Sequence, residues 1–209
     1  MARAFAEITF TPEVRAIQEQ HGSAKSYGKF LEPASERGDC LSETEATFIA
    51  DRDGFYQATV SATGWPYVQF RGGPKGVLKV LDARTLAYAD FKGNRQYLSV
   101  GNLATDNRIS LILMDYPNRR RLKLWGHAWI AELADDPALV SRLHDIAYAA
   151  RPERAVVITV AAFDWNCPQH IPQRLTLEEF QEHLAPLLSE LSQLREENAA
   201  LRSALQTRR

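Results

Sequence analysis

From Gly54 onward the chain is a succession of short β-rich runs with little room between them for helices, and this spacing most constrains the fold. Phe55-Tyr56-Gln57-Ala58-Thr59-Val60-Ser61, the turn Ala62-Thr63-Gly64 and Tyr67-Val68-Gln69-Phe70 read as a hairpin. Further strands are expected at Gly76 to Leu81, Thr85 to Ala89, Ile109 to Met114, Leu122 to Glu132 and Val156 to Phe163. One helix interrupts them, opened by Asp136-Pro137 with Leu139, Val140, Leu143, Ile146 and Ala147 at helical spacing. A doubly wound fold needs a helix between most strands, so the expectation is mainly β (α+β), an antiparallel sheet closed into a barrel.

Residues 1–50 read as a helical cover, 51–174 as the barrel and 175–209 as a C-terminal helix. Thr11-Pro12-Glu13 starts a helix that ends at His21-Gly22, and Ser42-Glu43-Thr44-Glu45 is a capping box. In the tail, Leu184, Leu191, Asn198 and Leu205 take heptad position a, and Leu187, Leu194 and Leu201 take position d. A lone Asn at a favours two parallel strands in fixed register, and Glu190 and Glu197 at g meet Arg195 and Arg202 at e of a partner. Pro186 is expected to limit this helix to about three heptads, roughly 30 Å. A short dimeric coiled coil and a helix packed on its own barrel both remain open.

Lys+Arg 25 against Asp+Glu 26 gives no basic bias, which counts against a general nucleic-acid binder. No apolar run approaches the ~20 residues of a membrane helix, and an acid follows the N-terminus too soon for a signal peptide. A cytoplasmic protein is expected. Cys40 and Cys167 are the only cysteines. Cys167 and His170 have ligand-like spacing, but no further Cys or His cluster completes a zinc site, so no metal is expected.

Four stretches look unlike fold-forming sequence. In Gln69 to Lys79, Arg71 ends a strand, Gly72-Gly73-Pro74 turns, and Lys79 follows, an arrangement able to approach and neutralise an anion. In Ala89 to Leu103, Asp90 precedes Asn94, Arg95 and Gln96, placed at a helix N-terminus that supplies amide donors. Asn118 to Gly126 has four cations in five residues; on a strand Arg119 and Arg121 would share a face, and one arginine is expected to point into a site. In Asp164 to Arg174, Trp165, Cys167, His170 and Arg174 sit in a proline-bracketed run expected to be an irregular loop closing a site.

Taken in order, these stretches resemble the pyridoxamine 5'-phosphate oxidase-like family, over about Asp51 to Arg174. Arg71 with Val77-Leu78-Lys79 looks like the family's arginine, apolar stretch and lysine, with Gly72 to Gly76 inserted. Tyr88-Ala89-Asp90 and Asn94-Arg95-Gln96 look like its strand end and Ser-Arg-Lys element, with Asn for Ser and Gln for Lys. Asp106 to Met114 resembles its aliphatic strand, and Arg121 to Gly126 its arginine-led strand. Trp165 to Arg174 is similar to a bacterial subgroup and differs from the substrate segment of true pyridoxamine phosphate oxidases.

The resemblance implies a split β-barrel of the type that binds flavin mononucleotide (FMN), and a homodimer sharing its sites. FMN is the expected cofactor and Arg71, Gly72, Gly73, Lys79, Asp90, Asn94, Arg95, Gln96, Arg121, Trp165 and Arg174 are the expected binding residues. Trp165, Trp125 or Phe91 would cover the ring. The implied activity is hydride or electron transfer with a small organic substrate, without an assigned catalytic side chain. The alternative is a non-catalytic flavin or haem binder on the same scaffold, with His21, His127, His144, His170 or His183 as a haem ligand. A third reading is a zipper scaffold whose barrel binds nothing.

Overall fold

The computed structural model describes residues 1–33, 37–165 and 168–206; Asn166 and Cys167, and with Cys167 its ligand-like spacing to His170, lie outside them. The chain divides into two units, Met1–Asp115 with Arg119–Gln169, and Tyr116–Asn118 with His170–Arg209.

In the first unit, β1 (Gly54–Val60), β2 (Pro66–Gly72), β3 (Leu78–Asp82), β4 (Thr85–Phe91), β5 (Arg108–Asp115), β6 (Arg120–Glu132) and β7 (Pro152–Trp165) form one sheet in the order β2-β1-β5-β6-β7-β4-β3. Every pairing is antiparallel. Alternation sets the register: Leu111 faces Leu124 and Leu113 faces Leu122, all four fully buried. The sheet curls onto itself. Arg71 on edge strand β2 reaches Asp90 on β4, next to the opposite edge, at 2.6 Å, and Phe55 of β1 packs on Tyr88 of β4 at 5.2 Å between ring centroids. The split barrel expected from the sequence is therefore closed by side chains across its two sheet edges.

Helices α1 (Arg3–Thr9), α2 (Pro12–Gln20), α3 (Ala24–Gly28) and α4 (Glu43–Ala50) precede the sheet. Thr11 caps α2, and the capping box at Ser42 and Glu45 forms. Glu45 also accepts from Trp165 Nε1 at 2.7 Å, and the Trp165 ring meets Phe48 edge-on at 4.7 Å. Helices α5 (Leu98–Thr105) and α6 (Pro137–Leu143) connect strands.

Several boundaries differ from expectation. β3 begins at Leu78, because Val77 closes a turn on the Pro74 carbonyl and Gly76 takes φ +76°. α6 stops at Leu143: Asp145 Oδ1 accepts from Ala147 N in a competing local turn, leaving Ile146 95% exposed. Arg119 has φ +51° in a turn, so it shares no strand face with Arg121; β6 starts at Arg120. Asp164 and Trp165 end β7 and are not part of an irregular loop. In the second unit α7 (Leu177–Gln206) runs 30 residues straight through Pro186, longer than the proline predicted.

Candidate functional site

Period-2 alternation on β2 turns Tyr67, Gln69 and Arg71 to one side and leaves Val68 and Phe70 exposed on the other. Asp90 and Phe91 end β4 beside them, and Lys92 N donates to Arg151 O at 2.8 Å, turning the chain away. The segment that follows is locally wound. Asn94 Oδ1 accepts from Gln96 N at 3.2 Å, and Arg95 and Tyr97 take left-handed φ of +63° and +54° before α5 starts at Leu98. Asn94 to Gln96 therefore precede the helix instead of opening it. Ser99 Oγ donates to Gln69 Oε1 at 3.2 Å, tying the start of α5 to β2.

These elements enclose a cleft of ≈250 Å³, lined among others by Gln69, Arg71, Asp90, Arg95, Tyr97 and Arg154. Buried Asp90 accepts from Arg71 at 2.6 Å through one oxygen and from Arg154 at 3.1 Å through the other. Arg154 also bonds Glu132 at 3.1 Å, approaches Glu153 at 3.5 Å, and lies 5.0 Å from the Tyr97 ring centroid. Burial alone would lower the Arg154 pKa; its bonds to Asp90 and Glu132 outweigh that and raise it. Arg95 is likewise raised, by a hydrogen bond to Tyr97. Beneath Arg71, the buried Tyr88 phenol is pushed well up by desolvation and donates to Gln57 Oε1. Arg71 Nε is buried and has no partner among the described residues.

Three arginines, one aspartate and one glutamate line the cleft and Glu132 bonds Arg154 from outside it, so the charges balance, and Arg95 is the lining arginine with no ion pair among the described residues. Flat rings of Tyr67, Phe91 and Tyr97 line the same opening. Guanidiniums, an unfilled Nε donor and aromatic faces together fit a phosphorylated ligand with a flat ring system.

Of the expected binding residues, Arg71, Asp90, Asn94, Arg95 and Gln96 meet on this cleft, as does Phe91. The others are placed elsewhere. Gly73 N donates to Asp53 O at 2.8 Å and a Cβ there would strike the Val77 side chain, so its smallness, like that of Gly72 against the Phe70 ring, serves packing. Lys79 is half-buried on β3, opposite Ala87. Arg121 is half-buried on β6 opposite Met114, its Nε without a partner among the described residues. Trp165 is locked against α4 with Arg120 over its ring at 4.7 Å, and Trp125 packs on Phe5. Arg174 belongs to the second unit, over Tyr116 at 5.1 Å.

Tyr67, Gln69, Tyr97, Ser99, Glu153 and Arg154 went unpredicted. Counting back by two from Arg71 finds Gln69 and Tyr67. Arg154 had a weaker signal, a cation abutting the apolar run Ala155 to Ile158. Among the described residues no group of three or more His, Cys, Asp or Glu is placed to hold a metal, and no helix is long and apolar enough to cross a membrane.

The family model of pyridoxamine 5'-phosphate oxidase matches residues 41–166. No curated protein matches the chain. Among solved structures, an FMN-binding protein from Syntrophomonas wolfei is 11% identical, with 71% of this chain and 97% of that one covered at TM-score 0.48. HupZ from Group A Streptococcus is 16% identical over 65% and 99%, TM-score 0.46. A general stress protein 26 relative of the pyridoxinephosphate oxidase family, from Clostridium acetobutylicum, is 16% identical over 64% and 92%, TM-score 0.43.

Proposed function

We propose that the chain, which belongs to the pyridoxamine 5'-phosphate oxidase family, binds FMN and acts as a homodimeric oxidoreductase on a small organic substrate. The observation that carries this reading is the cleft where Arg71, Asp90, Asn94, Arg95 and Gln96 converge, although they come from two strands and a loop. Arg95 would hold the phosphate, and Arg71 has an Nε donor left over after serving Asp90. Tyr67, Phe91 or Tyr97 would lie against flat parts of the ligand.

When bound, FMN supplies the hydride or electron transfer, and the protein supplies position and field. Asp90 and Arg154 keep the cleft's arginines in place before the ligand arrives. The ≈250 Å³ of one protomer is below the ~300–1,000 Å³ usual for a whole ligand site, which supports a site completed by a second protomer. The C-terminal heptads, read as a short coiled coil, supply a further self-association element.

The test is the absorbance spectrum of purified protein before and after FMN addition and desalting. Retained twin flavin bands, lost in Arg95→Ala with fold intact, are expected. A Soret band in their place would favour the haem alternative, and full flavin occupancy in Arg95→Ala would overturn the phosphate assignment.

A further inference from the structure

Helix α7 is 30 residues long, roughly 45 Å, and buries none of them. Because it continues through Pro186, the heptad extends one full repeat beyond what the sequence allowed: Leu177 falls at a and Phe180 at d. Pro186 itself falls at c, off the seam, so it takes no knob from the a/d stripe although it removes one amide hydrogen bond inside the helix. Leu177, Phe180, Leu187, Leu191, Leu194, Leu201 and Leu205, all on the a/d stripe, are 43–82% exposed. So continuous an apolar stripe on an otherwise charged helix calls for a partner.

The charges identify the partner. In a parallel pair each g residue faces e of the next heptad on the other helix, so Glu190 meets Arg195 and Glu197 meets Arg202, twice over by symmetry. In an antiparallel pair g faces g and e faces e, setting glutamate against glutamate and arginine against arginine. Register is set just as tightly. Only in-register helices place Asn198 against Asn198; a one-heptad slip would bury each asparagine against leucine.

We propose that α7 is a parallel, in-register zipper whose partner is the α7 of a second copy of this chain. This rests on the homodimer reading and gives it a mechanism. Interaxial distances of ~8–10 Å hold the two Leu177 ends side by side, so the attached barrels meet at the millimolar effective concentration of a short tether. Flavin sites built from two protomers then stay assembled when the protein is dilute.

The experiment uses the full chain in a Cys40→Ser, Cys167→Ser background. Asn198→Cys under mild oxidation is expected to convert most chains to a disulfide-linked dimer, and Ser189→Cys, at outward position f, to give little. No 198–198 crosslink, or equal crosslinking from both positions, overturns the proposal. A pair of charge variants gives an independent readout: Glu190→Arg/Glu197→Arg and Arg195→Glu/Arg202→Glu each weaken self-association about tenfold or more, and mixing them restores a heterodimer. Failure of the mixture to associate overturns the charge assignment. The flavin spectrum of the same samples separates the two readings. A crosslinked but colourless protein sinks the flavin reading alone, and a yellow protein that does not crosslink sinks the zipper alone.

Discussion

Taking a carboxylate out of water is costly unless its charge is met, and Asp90 is met twice, by Arg71 and by Arg154. Removing it would strand the largely buried Arg71 guanidinium, while Arg154 keeps Glu132 and Glu153. Asp90→Ala should therefore cost about 3–5 kcal/mol in urea unfolding, with Asp90→Asn costing distinctly less because it still accepts a hydrogen bond. Glu45 carries part of the acid sensitivity. Burial alone would raise its pKa, but hydrogen bonds from Ser42 and Trp165 outweigh that and hold it below the ordinary glutamate value. A carboxyl lowered on folding stabilises the protein above its unfolded pKa of ~4.3, and that stabilisation is lost as pH falls through the folded value. Glu45→Gln should thus flatten the loss of stability below about pH 4, measured by denaturant midpoints across pH, while leaving a lower plateau at pH 7. The capping role of Glu45 was readable from Ser42-x-x-Glu45, a local pattern. Its bond to Trp165, 120 residues away, had no local trace, and it ties Trp165, expected from the sequence as a flavin cover, to α4.

At the scale of elements, strands were readable because alternation and β-branched residues report burial on one face, as the Leu111–Leu124 and Leu113–Leu122 pairs bear out. Ends were harder, since they depend on competing local bonds, such as the Asp145 turn that halts α6. Gly126 shows a constraint no single strand displays. It sits where the β6–β7 register shifts, and a Cβ there would lie 2.5 Å from Thr159 O. Because that neighbour is backbone, Gly126→Ala should destabilise by about 1–3 kcal/mol, seen as a lower urea midpoint with an unchanged slope. Pro186 is the opposite case, a residue whose local preference is overridden. A proline costs roughly 3 kcal/mol in a helix interior, so Pro186→Ala should stiffen α7 and, on the zipper reading, strengthen self-association in sedimentation at low concentration.

At the scale of the whole molecule, the cleft could be only half foreseen. The loop Asn94-Arg95-Gln96 and the strand end at Arg71 announce themselves as cations beside turns, but Arg154 reaches the cleft only because β7 lies next to β4 in the closed sheet. The same closure has a consequence for occupancy. If one protomer offers only part of the flavin's surroundings, ligand binding and association are linked, and each must strengthen the other by the same factor. Flavin retention should then fall with dilution more steeply than simple ligand dissociation allows, and added FMN should shift the sedimentation profile toward dimer. Breaking the seam with Leu191→Glu and Leu194→Glu should move that dilution curve to higher protein concentration without changing the flavin's spectrum at saturation. Flavin fluorescence, quenched when bound and recovered on release, measures the curve directly. A dilution curve identical in wild type and variant would mean that the α7 seam contributes nothing to flavin retention.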